Sequence, residues 1–345
     1  MAIPAQQFRK LFSQQVIDIY RERILPTEFL RSFFAEKISL TRFVSIEVQR
    51  GTEKVAVDVK RHTDGNLNTF DLSTEKIFEP PYYDEFIVAN KHQLYDMAIG
   101  SQSETAFAEL AQQTAEDLLD AEAKINRAFE KQCADVFETG VVALLNYTNI
   151  DFKRKAASLV DTGAGTYWAS AVNPFLQIEQ GCQFLRKVGK AQGDVFNMIL
   201  GSEAWADLLN NTEFKARQAL FNMALDAIAA PQRNAVGATY MGRMTAGSYK
   251  VDVWTYEQYY DNSSNVSTPY VNPKKFVLLP MNPRFRMSYG AVPQLIENGS
   301  IPQSGKFLVQ DFIDSKRTAH EIHVKSAGLA IPVAVDQIYT RTVVA

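Results

Sequence analysis

Histidine and cysteine are scarce in this sequence, with four and two among 345 residues, and that scarcity argues against most metal centres and any disulfide framework. Cys133 and Cys182 stand far apart inside helical patterns, which suits reduced thiols behaving as small buried hydrophobes. No stretch approaches the roughly 18 consecutive apolar residues of a membrane-spanning helix. MAIPAQQFRKLFSQQ lacks the apolar core and cleavage site of a secretory signal. The expected setting is cytosolic and free of membrane, so triplets such as Asn265-Val266-Ser267 read as loop and not as glycan acceptors. Charge of one sign is lacking too: the formal net charge is -3, and a dedicated nucleic-acid binder normally carries a strongly basic face. Only weak, non-specific contact with DNA is compatible with that balance.

The familiar catalytic boxes are missing as well. There is no Gly-Lys-Ser/Thr phosphate loop and no Gly-x-Ser-x-Gly elbow, and Gly163-Ala164-Gly165 is too short for a dinucleotide fingerprint. Leu159-Val160-Asp161-Thr162-Gly163-Ala164 matches the aspartic-protease signature. That chemistry needs two carboxylates sharing a proton, and the chain has a single Asp-Thr-Gly. His320-Glu321-Ile322-His323 reads as a strand whose imidazoles point to opposite faces, without the i, i+4 spacing of a helical zinc motif. His62 and His92 have no cysteine or acid cluster at ligand spacing. The aromatic run from Trp254 to Tyr260 reads as core or subunit contact, because strand-borne aromatics usually pack. The sequence therefore assigns no catalytic, cofactor-binding or metal-binding residue.

What is present is an ordinary globular composition, 46% hydrophobic and 22% charged, in a chain long enough for two domains or one elaborated one. QQFRKLFSQQVIDIYRERI and LPTEFLRSFFAEKISL are rich in apolar residues yet close no unit of their own, as in an arm that packs on something else. Phe43, Ile46 and Val48, then Val55, Val57 and Val59, alternate with polar residues around Arg50-Gly51-Thr52-Glu53, which is a hairpin pattern. The polar stretch that follows ends in Pro80-Pro81, so residues 45–90 form a long two-stranded excursion. An isolated ribbon of that kind is marginal in water and needs a surface to lie on.

Ser101-Gln102-Ser103-Glu104 has capping-box spacing, and Phe107, Ala111, Thr114, Leu118, Ala121, Ile125 and Ala128 repeat at steps of four and three, flanked by Leu110 and Phe129. A helix from Glu104 to Thr139, stopped by Gly140, is expected. Its apolar stripe is narrow, and Glu109, Glu116, Asp120, Lys124 and Lys131 occupy the rest, which suits a rod laid across a mixed sheet. Beyond it, NPFLQIEQGCQFLRKVGKAQ reads as a second helix with Pro174 in its first turn. Val195 to Leu200 reads as a buried strand passing at Gly201-Ser202 into a short helix. GSYKVDVWTYEQYYDN, NPKKFVLLPMNPRFRMSYG and HEIHVKSAGLAIPVAVDQIYTRTVV read as strands.

The order arm, β excursion, lone long helix, α/β region, β-rich insertion and returning strand resembles the major capsid proteins of tailed phages, the lambda-like major head protein family with the Hong Kong 97 fold. The segments carrying the resemblance are Leu30-Arg31-Ser32-Phe33-Phe34, Phe78-Glu79-Pro80-Pro81-Tyr82, Gly165-Thr166-Tyr167-Trp168, Tyr249-Lys250-Val251-Asp252-Val253-Trp254, Phe276-Val277-Leu278-Leu279-Pro280 and Tyr289-Gly290. Pro280 departs from the glycine that the family often has there.

The resemblance implies an α+β fold with an arm over 1–44, an extended loop over 45–90 and a peripheral domain over 91–193 with its spine helix at 103–139. It implies an axial domain over 194–317 and a return strand over 318–345. It implies a structural, non-enzymatic protein that self-assembles as hexamers and pentamers into an icosahedral shell around double-stranded DNA, the virion capsid, assembled in the host cytoplasm. Scaffolding, decoration and portal proteins are the further partners, with scaffolding expected from a separate protein. Intersubunit contacts are expected along the loop at Lys54, Val55, Val57, Asp58, Val59, Lys60, Arg61, Asp64, Glu75 and Lys76. Two alternatives stand beside this reading: an encapsulin-like compartment shell of the same fold, and a protease using Asp161.

Overall fold

In the strand Val195–Leu200, Phe196, Met198 and Leu200 enter one apolar cluster while Ile199 enters another. Lys275–Pro280 does the same, with Phe276 and Leu278 on one side and Val277 and Leu279 on the other. Side chains alternate across a strand, so a near-continuous apolar run signals burial on both faces. These two strands are the partition between the two cores of the molecule.

The computed structural model describes residues 26–48, 74–90, 103–161, 166–169, 172–220, 237–296, 299–314 and 319–345. The partition belongs to a six-stranded mixed sheet ordered Leu159–Val160, Tyr339–Thr342, Lys275–Pro280, Val195–Leu200, Tyr249–Thr255, Thr239–Ala246. Pro280 ends its strand in register with Phe196, a position where its missing N–H is tolerated.

On one face of this sheet lies the helix Pro174–Lys187, capped by Asn173 accepting from the Phe175 N–H and with Pro174 in its first turn. Its Ile178, Cys182 and Leu185 are buried. Gly181 lets the helix approach the sheet, because a Cβ there would stand 2.6 Å from Leu278 Cδ1 and 2.8 Å from Tyr339 Cδ1. Trp168 is fully buried, stacked on Phe276 and donating Nε1–H to Gln177 Oε1 at 2.9 Å.

On the other face lies the spine helix Ser103–Glu138, 36 residues and about 54 Å long at the α-helical rise. It packs on the strands Gly328–Pro332, Tyr83–Asn90 and Ala319–Ser326. The first of these closes a three-stranded sheet with Phe285–Tyr289 and Phe34–Ile38, and the other two form a second with Leu308–Asp314. A rod across mixed sheet is what the sequence predicts, but its narrow stripe is not maintained. Ala121 and Ile125 are buried as expected, yet Phe129 replaces the half-buried Ala128, and Glu130, Gln132, Cys133, Ala134, Val136 and Phe137 follow it inside. Elements converge on the last three turns from several sides, and local periodicity does not record that.

Gly140 ends the spine helix with φ +75°, its N–H reaching Asp135 O at 3.1 Å. Arg154 seals the same end, giving Nη1–H to Phe137 O at 2.8 Å and Nη2–H to Ser158 O, Ile338 O and Thr340 Oγ1. Burial pulls its guanidinium down to about 9, which leaves it charged at neutral pH, as suits a helix C-terminus.

The described part of the arm packs on the body of its own chain. Phe29, Leu30 and Phe34 are core residues of their own chain, and Phe34–Ile38 pairs in parallel with Phe285–Tyr289. A fully buried Phe or Leu contributes about 1.5–3 kcal/mol, so this half of the arm is part of the body. Residues 1–25 lie outside the described residues.

Candidate assembly surface

The root of the excursion is the antiparallel pair Val44–Val48 and Thr74–Phe78, with Val44 opposite Phe78 and Ser45 opposite Ile77. Directly opposite residues share a face of a ribbon. Val44 and Phe78 turn inward, the former 5% exposed and the latter against Phe152 with ring centroids 5.4 Å apart. Phe43 and Ile77 fall on the outward face, 48% and 65% exposed, and Ile38 and Leu40, in the segment that leads into the ribbon, are 52% and 80% exposed. Phe43 and Ile77 thus give the ribbon root an open apolar face.

The ribbon is fixed at its base. The Ala291 N–H donates to Thr41 O at 3.0 Å, and Gly290 passes so close that a Cβ there would stand 3.0 Å from Arg42 O and 3.3 Å from Pro80 Cγ. Arg42 forks onto Glu79 across the root and lies over the Phe43 ring. Pro80 and Pro81 are buried and turn the chain into Tyr83–Asn90, which crosses to the spine helix. There Lys124 pairs with Glu85 at 3.6 Å, and the Gln132 amide donates to Tyr83 Oη at 2.8 Å and Gly328 O at 3.2 Å.

Of the contact residues read from sequence, Lys54, Val55, Val57, Asp58, Val59, Lys60, Arg61 and Asp64 lie outside the described residues. Glu75 stands in register with Glu47 and Lys76 with Ile46; Lys76 is exposed. The sequence reading passed over Ile38, Leu40 and Ile77. Alternation in Thr74–Phe78 against a Pro-Pro turn was the available signal.

The rejected chemistries have these places. Asp161 is exposed after the strand Leu159–Val160, and residues 162–165 lie outside the described residues, as do His62 and His92. His323 Nδ1 meets Asp84 at 2.8 Å, and its ring stacks on Phe86 at 5.3 Å. Among the described residues no group of three or more His, Cys, Asp or Glu could hold a metal ion. No described helix is long and apolar enough to cross a membrane. Cys133 and Cys182 are both fully buried, and burial pushes both thiols up, Cys182 to about 12, so they are poor nucleophiles. Asn265, with φ 55°, sits in the turn of the Tyr259–Asp261 and Ser267–Pro269 hairpin. Of the aromatic run, Tyr256 is core and Tyr259 is 51% exposed.

The family described as phage major capsid protein E matches residues 22–343. The chain belongs to that family. Among solved structures, a prophage capsid protein from E. coli CFT073 is 15% identical with TM-score 0.58, covering 100% of each chain. The capsid subunit of cyanophage A-1(L) is 13% identical with TM-score 0.51 over 97% of this chain and 98% of its own. That of the mature bacteriophage PhiM1 capsid is 9% identical with TM-score 0.50 over 93% and 88%. At such identities the likeness is one of fold, and the fold is the Hong Kong 97 type. No curated protein matches the sequence.

Proposed function

We propose that this capsid subunit assembles as hexamers and pentamers into a closed icosahedral shell around double-stranded DNA in the host cytoplasm. Residues 45–90 lie over a neighbouring copy, 91–193 and 318–345 form the peripheral body, and 194–317 surround the hexamer and pentamer axes. These divisions are assembly roles, since the six-stranded sheet draws strands from both bodies. The observation that carries the reading is the pair of exposed apolar side chains Phe43 and Ile77 on a pinned ribbon, with Ile38 and Leu40 exposed in the segment that leads into it. Apolar burial between copies supplies most of the association energy, about 25 cal/mol per Å² removed from water. Charged contacts along the loop at Lys54, Asp58, Lys60, Arg61, Asp64, Glu75 and Lys76 set register, because exposed ion pairs contribute only about 0–1 kcal/mol each. Separate scaffolding, decoration and portal proteins act on the outside of this subunit chemistry, and no catalytic step belongs to it.

The test is deletion of residues 52–76. The variant is expected to stay soluble and folded by circular dichroism and to form no closed shells by negative-stain electron microscopy. Normal shells from the deletion variant would overturn the role given to the loop. Wild-type shells containing a protein cargo in place of nuclease-protected DNA would overturn the proposed contents.

A further inference from the structure

One acidic side chain of the spine helix holds the segment 27–31. Glu130 is 1% exposed. Its Oε1 accepts from the Leu30 N–H and the Tyr256 O–H, both at 2.8 Å, and its Oε2 accepts from the Arg31 N–H at 3.1 Å. Thr27 Oγ1 stands 2.5 Å from Tyr256 Oη, and either can donate. Around this carboxylate the arm contributes Arg31, the spine helix Cys133, and the segments after Tyr249–Thr255 and Ser267–Pro269 contribute Tyr256 and Tyr270. Among the described residues, Arg31 is the cation that acts on it. Its guanidinium donates to Asn126 Oδ1 at 2.7 Å and Glu28 Oε1 at 2.9 Å and lies 3.6 Å from Glu36, so two other carboxylates share its charge.

We propose that Glu130 is a proton-operated latch, seating residues 27–31 on the spine helix more tightly when it is protonated than when it is ionised. The hydrogen bonds from Leu30, Tyr256 and Arg31 favour the carboxylate, but burial opposes it more strongly and pushes Glu130 up to about 7. Lifting the arm would rehydrate the group and return it to the ordinary carboxylate range. The seated state therefore binds the proton more tightly. Its advantage is complete below that ordinary range and is lost as pH rises through about 7.

Protonation need not orphan a donor. Tyr256 can accept the carboxyl proton while donating onward to Thr27 Oγ1, which reverses the hydroxyl chain, and the carboxyl oxygens still receive the two backbone N–H groups. The latch is internal to one chain, so it stands or falls separately from shell formation.

Hydrogen exchange at the Leu30 and Arg31 amides of the full-length protein reads it directly. After correction for intrinsic chemical exchange, wild-type protection is expected to be about tenfold weaker at pH 8.5 than at pH 6.0. Glu130→Gln keeps the shape and removes the titration, so its protection should be equal at the two pH values. Tyr256→Phe removes a donor that favours the ionised form and should move the wild-type midpoint upward. Equal wild-type protection at both pH values, an undiminished pH difference in Glu130→Gln, or an unmoved midpoint in Tyr256→Phe overturns the proposal.

Discussion

The last turns of the spine helix and the root of the excursion make opposite use of aromatic and aliphatic side chains. Phe137 is 1% exposed and meets Phe33, Phe34 and Phe285. Phe43 and Ile77, on the ribbon, are about half and two-thirds exposed. The first region is finished within the chain. The second leaves the same residue types open to solvent, and under the proposed function another copy covers them, so they contribute to subunit stability in one place and would contribute to assembly in the other.

That contrast can be broken by substitution, with stability measured by urea unfolding of unassembled subunits. Phe137→Ala should cost about 3–5 kcal/mol, because its aromatic neighbours cannot collapse into the space. Gly140→Ala should cost about 1–3 kcal/mol, since φ +75° disfavours a side chain and the Cβ would stand 2.3 Å from Arg154 Cδ. Thr340→Val, nearly isosteric, removes the hydroxyl that donates to Phe137 O at 2.6 Å and should cost about 1 kcal/mol. Ile77→Ser should shift subunit stability by less than about 0.5 kcal/mol and still abolish closed shells in negative stain. If Ile77→Ser unfolded the subunit, or assembled normally, the division between the two regions would be wrong.

Much of the body was legible because local signals agreed with the tertiary outcome. The spine helix, read as 104–139, spans Ser103–Glu138, since capping-box spacing at Ser101-Gln102-Ser103-Glu104 and Gly140 mark its ends. Val195–Leu200 was legible because a short apolar run before Gly-Ser has few other homes. What failed were facts that depend on distant partners. Nothing adjacent to Glu130 says that it is buried, because its donors are Leu30, Arg31 and Tyr256, 99 to 126 positions away. The arm was legible as a segment that packs on something outside itself, and its apolar density at Phe29, Leu30, Phe33 and Phe34 marks the part that does so, but which strands receive it is set by residues about 250 positions away. Of the expected contact residues, charged and apolar alike, those from Lys54 to Asp64 lie outside the described residues, and the exposure of Ile38, Leu40 and Ile77 could not be read beforehand because exposure, unlike periodicity, is not written locally.

The strand Tyr339–Thr342 lies inside the six-stranded sheet, between Leu159–Val160 and Lys275–Pro280. During synthesis the sheet consequently lacks an interior member until residue 342 has been made, and both cores share an open seam until then. Long-range pairing of this kind closes late. A growing chain cannot present a finished body to its neighbours, so the order of strands in one sheet also times when a subunit becomes competent to join a shell.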